Sequence, residues 1–185
     1  AELAAWDQLV SLQQDKGQDP RLLIVGITEQ DLPSPGSVTP SDAALATVIN
    51  NLQAQQPARI ALNLYRSQPE GEGIEAFQHA IKAPNVATIM KLSDPGRNNT
   101  ILPPPGMPIE QVSFSNIVAD RDFRVRRALL IDFFDTSFGR AELVDTAIFS
   151  LGAEVAMGYL EQYEGIRPEP GDILHLGPAR FEPLT

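Results

Sequence analysis

The densest run of charged side chains in this 185-residue sequence spans Asp120 to Arg127, where two Asp and four Arg fall within eight residues. Arg carries a planar fork of donors suited to bidentate pairing with carboxylates or phosphates. Two readings stand: an anion or carboxylate pocket using Arg126 and Arg127, or an Arg–Asp network that pins a turn. The second is favoured, with Asp120 and Asp122 as structural turn residues capping backbone N–H groups. Asp120-Arg121-Asp122 also invites a calcium reading. A calcium loop needs further oxygen ligands, a glycine at a fixed offset and a closing bidentate Glu. Phe123 stands where another small or oxygen-bearing residue is wanted, so calcium is not expected. Asp132 and Asp135 flank a Phe pair and read as the end of a strand.

A second group of polar residues gains its interest from position. Asn63-Leu64-Tyr65-Arg66 follows a predicted parallel strand, and ligands of open α/β sheets bind beyond the carboxyl ends of strands. Thr28, Glu29 and Asp31 lie just past the first predicted strand and are expected at the same edge. The candidates for ligand binding are therefore Glu29, Asn63, Tyr65 and Arg66, together with Arg126 and Arg127. Catalytic signatures are lacking. Gly71-Glu72-Gly73 has no third glycine and follows a loop, so it is not a dinucleotide fingerprint. No phosphate-cradling loop and no Gly-x-Ser-x-Gly elbow occurs. The two histidines, His79 and His175, form no metal-binding pattern. No catalytic residue, metal ligand or cofactor is assigned.

The elements that position these groups follow from apolar spacing. Leu3, Trp6, Leu9 and Val10 mark an amphipathic helix over residues 2–14. Leu22 to Ile27 is a short apolar run bounded by turn residues, the pattern of a buried strand. Pro33, Pro35, Gly36 and Pro40 make a loop. A helix follows with Thr39 as its expected N-cap, Pro40 at the first helical position and Leu45, Val48, Ile49 and Leu52 on its apolar face. Arg59 to Tyr65 is a second strand. Ile74, Phe77 and Ile81 mark a third helix, and Val86 to Leu92 a third strand. Ser93 to Pro108 is a long loop. Gln111 to Val118 and Val125 to Phe134 are expected to pair as an antiparallel hairpin. Arg140 to Tyr163 reads as a long helix, and Ile173 to Leu176 as a terminal strand. The alternation predicts βαβ units with right-handed crossovers. The expected class is α/β: a single mixed sheet, parallel in its first half and with an antiparallel hairpin later, and helices on both faces.

Composition narrows the partners. Fourteen Lys and Arg against 24 Asp and Glu give a net charge of −10. That argues against phosphate-driven nucleic-acid binding and against an anionic membrane surface. There is no Cys, which removes disulfides, thiolate metal sites and Cys nucleophiles. Hydrophobic content of 43% and charged content of 21% are those of a folded domain. No apolar run approaches the roughly 20 residues of a spanning helix, and no signal peptide is visible. A single domain over 1–185 is expected. The absence of an initiating Met and the abrupt close suggest that both ends are cuts from a longer protein.

In order along nearly the whole chain, these blocks resemble the second type of CHASE domain, the cyclase/histidine-kinase-associated sensory extracellular module. Glu2-Leu3-Ala4-Ala5-Trp6-Asp7 resembles its entry helix, where an aromatic precedes Asp. Leu22 to Thr28, with Glu29 and Leu32, resembles its first strand and acidic turn. Ile60 to Arg66, followed by Pro69-Glu70-Gly71, resembles the second strand of cyanobacterial members, and Leu102-Pro103-Pro104-Pro105 a loop seen there. Asp120-x-Asp122 with Arg126-Arg127-Ala128-Leu129-Leu130 is the most specific block. Asn63 stands where the family commonly has Asp, Phe123 where it usually has Gly, and Ser113 where Gly is frequent. Only prolines remain of a Trp-Pro-rich element around Pro35 to Ser41. The resemblance implies an extracytoplasmic sensory domain of a membrane receptor, coupled inside the cell to a histidine kinase, a Ser/Thr kinase or a nucleotide cyclase. Its signal would be an unidentified small molecule or physical stimulus. A homodimer through the terminal helices is expected, and membrane contact only through flanking segments. The competing reading is a small soluble α/β hydrolase or nucleotide-binding enzyme.

Overall fold

The computed structural model describes residues 2–32, 39–94, 97, 99–133, 147–160, 166–169, 173–176 and 179–182. Its centre is a three-stranded parallel sheet in the order β1 (Ile60–Leu62), β2 (Val86–Met90), β3 (Val112–Phe114). Ile60 is paired with Val86, and Thr88 with Val112. All five residues of β2 are buried, as a parallel strand covered on both faces requires. On one face lie α2 (Asp42–Gln53) and α3 (Ile74–Ile81). Leu45, Ala46 and Ile49 of α2 and Phe77, Ala80 and Ile81 of α3 pack there with Ile60 and Val86. Burying each large side chain of this kind stabilises the fold by roughly 1.5–3 kcal/mol. The opposite face is covered by α4 (Leu151–Leu160), which lies against all three strands. Arg59 points to that side because side chains alternate along a strand, and a Cβ on Gly158 would run into its guanidinium.

The two helices of the first face meet closely at their amino ends. Gly73, the residue before α3, has φ +93°, and a Cβ there would strike Ala43. Only glycine satisfies both demands. The Ala43 N–H donates to the Glu72 carbonyl and the Asp42 N–H to the Glu70 carbonyl, both at 2.8 Å. These bonds satisfy donors that a helix start leaves open. Ser41 is the N-cap, accepting from the Ala44 N–H at 3.3 Å. The sequence pointed to Thr39, two residues earlier. The Thr39 hydroxyl is engaged by Arg66.

The sheet is mixed, with partners that differ from the expected ones. β3 joins the parallel sheet. The antiparallel pair is β4 (Ile131–Phe133) with β5 (Ala147–Phe149). A bridge from Phe114 to Ser150 and a 2.9 Å hydrogen bond from Ser150 N–H to the Leu130 carbonyl connect this pair to β3. The predicted hairpin between 111–118 and 125–134 does not form. Arg126 and Arg127, neighbours in sequence, both reach Asp120. Neighbours in a strand point to opposite faces, so the backbone there is not a strand. The predicted helix from Arg140 begins at Leu151, because Ala147–Phe149 pairs with β4. The Ser150 hydroxyl accepts from the Ala153 N–H at 3.3 Å, an N-cap that periodicity alone could not weigh. Residues 134–146 and 161–165, including Asp135 and both ends of that predicted helix, lie outside the described residues. The strand expected at the end of the chain forms as β7 (Ile173–Leu176), but it is central in an antiparallel sheet between β6 (Ile166–Glu169) and a later strand, β8 (Ala179–Phe181).

The largest departure concerns Leu22 to Ile27. The segment joins no sheet, and Leu23 and Ile24 are 79% and 91% exposed. Apolar content permits burial, but burial also needs a surface to pack on, and among the described residues none reaches it. Before it, α1 (Glu2–Ser11) forms as expected. No helix among the described residues is long and apolar enough to cross a membrane.

Candidate functional site

Two clusters of polar side chains stand out: the carboxyl edge of the parallel sheet, followed by a buried ion pair, and the Arg–Asp turn. At the sheet edge, Asn116 follows β3 and closes on β2. Its side chain accepts from the Leu92 N–H and donates to the Leu92 carbonyl, each at 2.9 Å, continuing the ladder with an amide side chain. Past β2 the chain turns back, Lys91 bridging Ile101. Inside that turn Asn99 donates to the Asp94 carboxylate at 2.6 Å and Lys91 Nζ lies 3.1 Å from the same group. The Asn99 bond, then the Lys91 ammonium, holds Asp94 below the usual carboxylate range. Tyr65, 42% exposed, stands close enough for the Asp94 charge to act on it. Burial first, and that charge second, raise its phenol above the ordinary value. Asn63 is exposed at the end of β1. Phenol, ammonium, carboxylate and amides thus share one rim. Such a set can hydrogen-bond a small polar solute and presents no nucleophile paired with a base.

Arg66 follows Tyr65 in the chain and turns inward. It is 2% exposed and Asp42 is fully buried. Arg66 Nη2 donates to the Thr39 hydroxyl at 2.9 Å and the Pro40 carbonyl at 2.7 Å. Its Nε is 3.6 Å from Asp42 Oδ1, an ion pair longer than a hydrogen bond. The guanidinium carbon sits 6.0 Å from the centre of the Phe77 ring, within cation–π range. Asp42 accepts the Glu70 N–H at 3.1 Å and places its charge at the positive end of α2. The pair ties the loop after β1 to the start of α2.

The second cluster centres on Arg126, whose side chain is 7% exposed. All five of its N–H donors are taken. Nε and Nη2 hold Asp7 at 2.7 and 2.8 Å, Nη1 holds Asp120 and Asp122 at 2.9 Å each, and Nη2 also holds Asp122 at 2.6 Å. Arg124 adds a bond to Asp7 at 2.9 Å, and Arg127 pairs with Asp120. Hydrogen bonds from Arg126 are the leading cause that holds Asp7, Asp120 and Asp122 below the usual range, Asp122 at about 2. Three carboxylates and three guanidinium groups balance. The network fastens α1, through Asp7, to a turn more than a hundred residues away. Within that turn Phe123 has φ +61° and is 92% exposed. This left-handed backbone favours glycine, the residue the family pattern leads one to expect there.

Of the sequence-derived candidates, the structure places Asn63 and Tyr65 at one edge, and buries Arg66 against Thr39, Pro40, Asp42 and Phe77. Arg126 and Arg127 form a separate, carboxylate-filled cluster. Glu29 sits in an exposed turn, Glu29–Asp31, held by Thr28 donating to Asp31. The strand that would have carried it to the sheet edge is not formed. Lys91, Asp94, Asn99 and Asn116 escaped the sequence reading, and so did the pairing of Asp42 with Arg66. Asn116 and Asp42 meet their partners through strand register and crossover, which no local spacing encodes, whereas Lys91, Asp94 and Asn99 meet inside one turn of the chain. Among the described residues no group of acidic and His side chains could hold a metal.

The described residues form an α/β domain with polar side chains at the carboxyl edge of its parallel sheet. The chain belongs to the CHASE2 domain family, whose model matches residues 1–183, a family of sensory modules typical of receptors. Comparisons with curated proteins and with solved structures gave no match.

Proposed function

We propose that this chain is the extracytoplasmic sensory module of a transmembrane receptor whose output is a kinase or a nucleotide cyclase. The observation that supports it is the family match across residues 1–183. The domain itself acts by binding and not by turnover. The rim of Asn63, Tyr65, Lys91 and Asp94 offers both charges and both hydrogen-bonding senses to a small polar solute. A ligand shifts a sensor only if it binds one state better than another. The Asp7–Arg126 network supplies a two-state element, since α1 is either fastened to the 120–127 turn or free of it. The exposed apolar face of α1, with Leu3, Trp6, Leu9 and Val10, fits a homodimer through this terminal helix. The test is topological. An alkaline phosphatase reporter fused just after the domain in the parent receptor is expected to be active, and a fluorescent protein at the same point dark. The reverse pattern would place the domain inside the cell and end this reading.

A further inference from the structure

Ten of the eighteen exposed large hydrophobic residues among those described fall in the first 27 positions, five of them between Leu22 and Ile27. Contiguous exposed apolar surface of this kind marks an interaction site. From Leu23 to Ile27 the backbone bonds to no other described residue. The parallel sheet offers the complement. β1 is an edge strand. The Ile60 N–H donates to the Asn85 carbonyl at 2.8 Å, so Ile60 and Leu62 address β2, and the N–H and C=O of Ala61 face outward. Natural sheet edges are protected by charged residues, prolines or bulges. Neither 22–28 nor 60–65 contains a charged residue or a proline, in a chain of net charge −10. A strand apolar on both faces suits a parallel sheet covered by helices on both sides.

We propose that Leu22–Ile27 adds as a parallel strand to the outer edge of β1 in a second copy of this chain. One chain carries both the free strand and the free edge and leaves them unjoined. A second copy supplies the matching half of each, and reciprocal addition closes a two-fold dimer with nothing left over. Arg21 fixes the point from which the strand departs. It is bonded to Asp19 at 2.6 Å and lies 5.8 Å from the Tyr159 ring on α4. The inference does not rest on the sensory reading, which would survive its failure.

The absence of cysteine makes the test direct. Ile24→Cys and Ala61→Cys chains of different tag length are mixed, equilibrated and treated with a short bismaleimide. A covalent heterodimer is expected, and none when Phe123→Cys replaces Ala61→Cys. Ile24→Pro, which removes a donor in mid-strand, should weaken dimerisation by at least about tenfold while circular dichroism stays unchanged. Three results would overturn the proposal: monomer at every concentration by sedimentation, closure of an Ile24→Cys/Ala61→Cys double variant within one chain, or a dimer that survives Ile24→Pro but falls to Leu9→Asp, which would make the α1 contact the whole interface.

Discussion

Arg66 and Arg126 both face carboxylates, in opposite ways. Arg66 shares a dry site with one carboxylate at 3.6 Å, and its Nε and Nη1 have no hydrogen-bond partner among the described residues. Arg126, itself largely covered, lies against three carboxylates that reach solvent and spends every donor. In the interior the surroundings multiply each charge and punish an unpaired one. At the surface water competes, and stability comes from number and geometry. The first pair therefore belongs to the integrity of the α2/β1 core. The second network ties α1 to the 120–127 turn through Asp7.

The largest expected effect breaks the buried pair. Arg66→Met leaves the buried Asp42 carboxyl without its counter-ion, and should cost about 3–5 kcal/mol, a fall in Tm of roughly 6–20 °C for a chain of this size. Removing both charges in Asp42→Ala/Arg66→Met should restore at least about 2 kcal/mol of that loss. A double variant as unstable as the single one would show that the guanidinium stabilises by packing on Phe77 and not by its charge.

Next comes the surface network. Arg126→Ala should free α1 while the core stays folded, with amide protection over Glu2–Ser11 falling by at least about tenfold and Tm shifting less than for Arg66→Met. Trp6, the one tryptophan, adjoins Asp7 and reports the change by its fluorescence. Acid should act alike. The pKa values of Asp7, Asp120 and Asp122 are lowered on folding, so their contribution is complete above the unfolded value near 3.9. It is lost as pH falls through the folded values, toward about 2 for Asp122. A Trp6 transition between about pH 4 and 2, moving upward with added salt, is the expected trace. A flat trace over that range would detach α1 from the network.

Two smaller effects sharpen the contrast. Thr88 is buried at the centre of β2, and its hydroxyl has no hydrogen-bond partner among the described residues. Thr88→Val keeps the shape and removes the stranded group, and should stabilise by about 1 kcal/mol in denaturant unfolding. Phe123→Gly relieves a left-handed residue at the exposed turn, and its gain, reduced by the flexibility of glycine when unfolded, should be about 0.5–1 kcal/mol. A loss in Tm would mean that the phenyl group is covered in solution.

Much of the fold was legible from local pattern. Ile74, Phe77 and Ile81 specified α3, and Val86 to Met90 specified β2, because both bury their apolar residues within their own span. Tyr65 and Asn63 were legible as edge residues because they end a strand of a βαβ unit. Asp132 as a strand residue followed from its apolar neighbours. Leu22 to Ile27 misled, because apolarity states a need for cover without naming what provides it. Ala147 to Phe149 misled because three apolar residues suit a helix face and a strand alike until a neighbour supplies hydrogen bonds.

The sequence by itself determined the α/β class, the lack of any thiol chemistry, and the Asp120–Arg127 block that the family resemblance singles out. Tertiary structure alone decided that β3 pairs with β2, that Asp42 meets Arg66, and that Asp7 meets Arg126 across more than a hundred residues. The physical reason is range. Helix periodicity, capping and turn chemistry act over a few residues, whereas strand pairing and ion pairing depend on distances in space that the chain sets only once its core has closed.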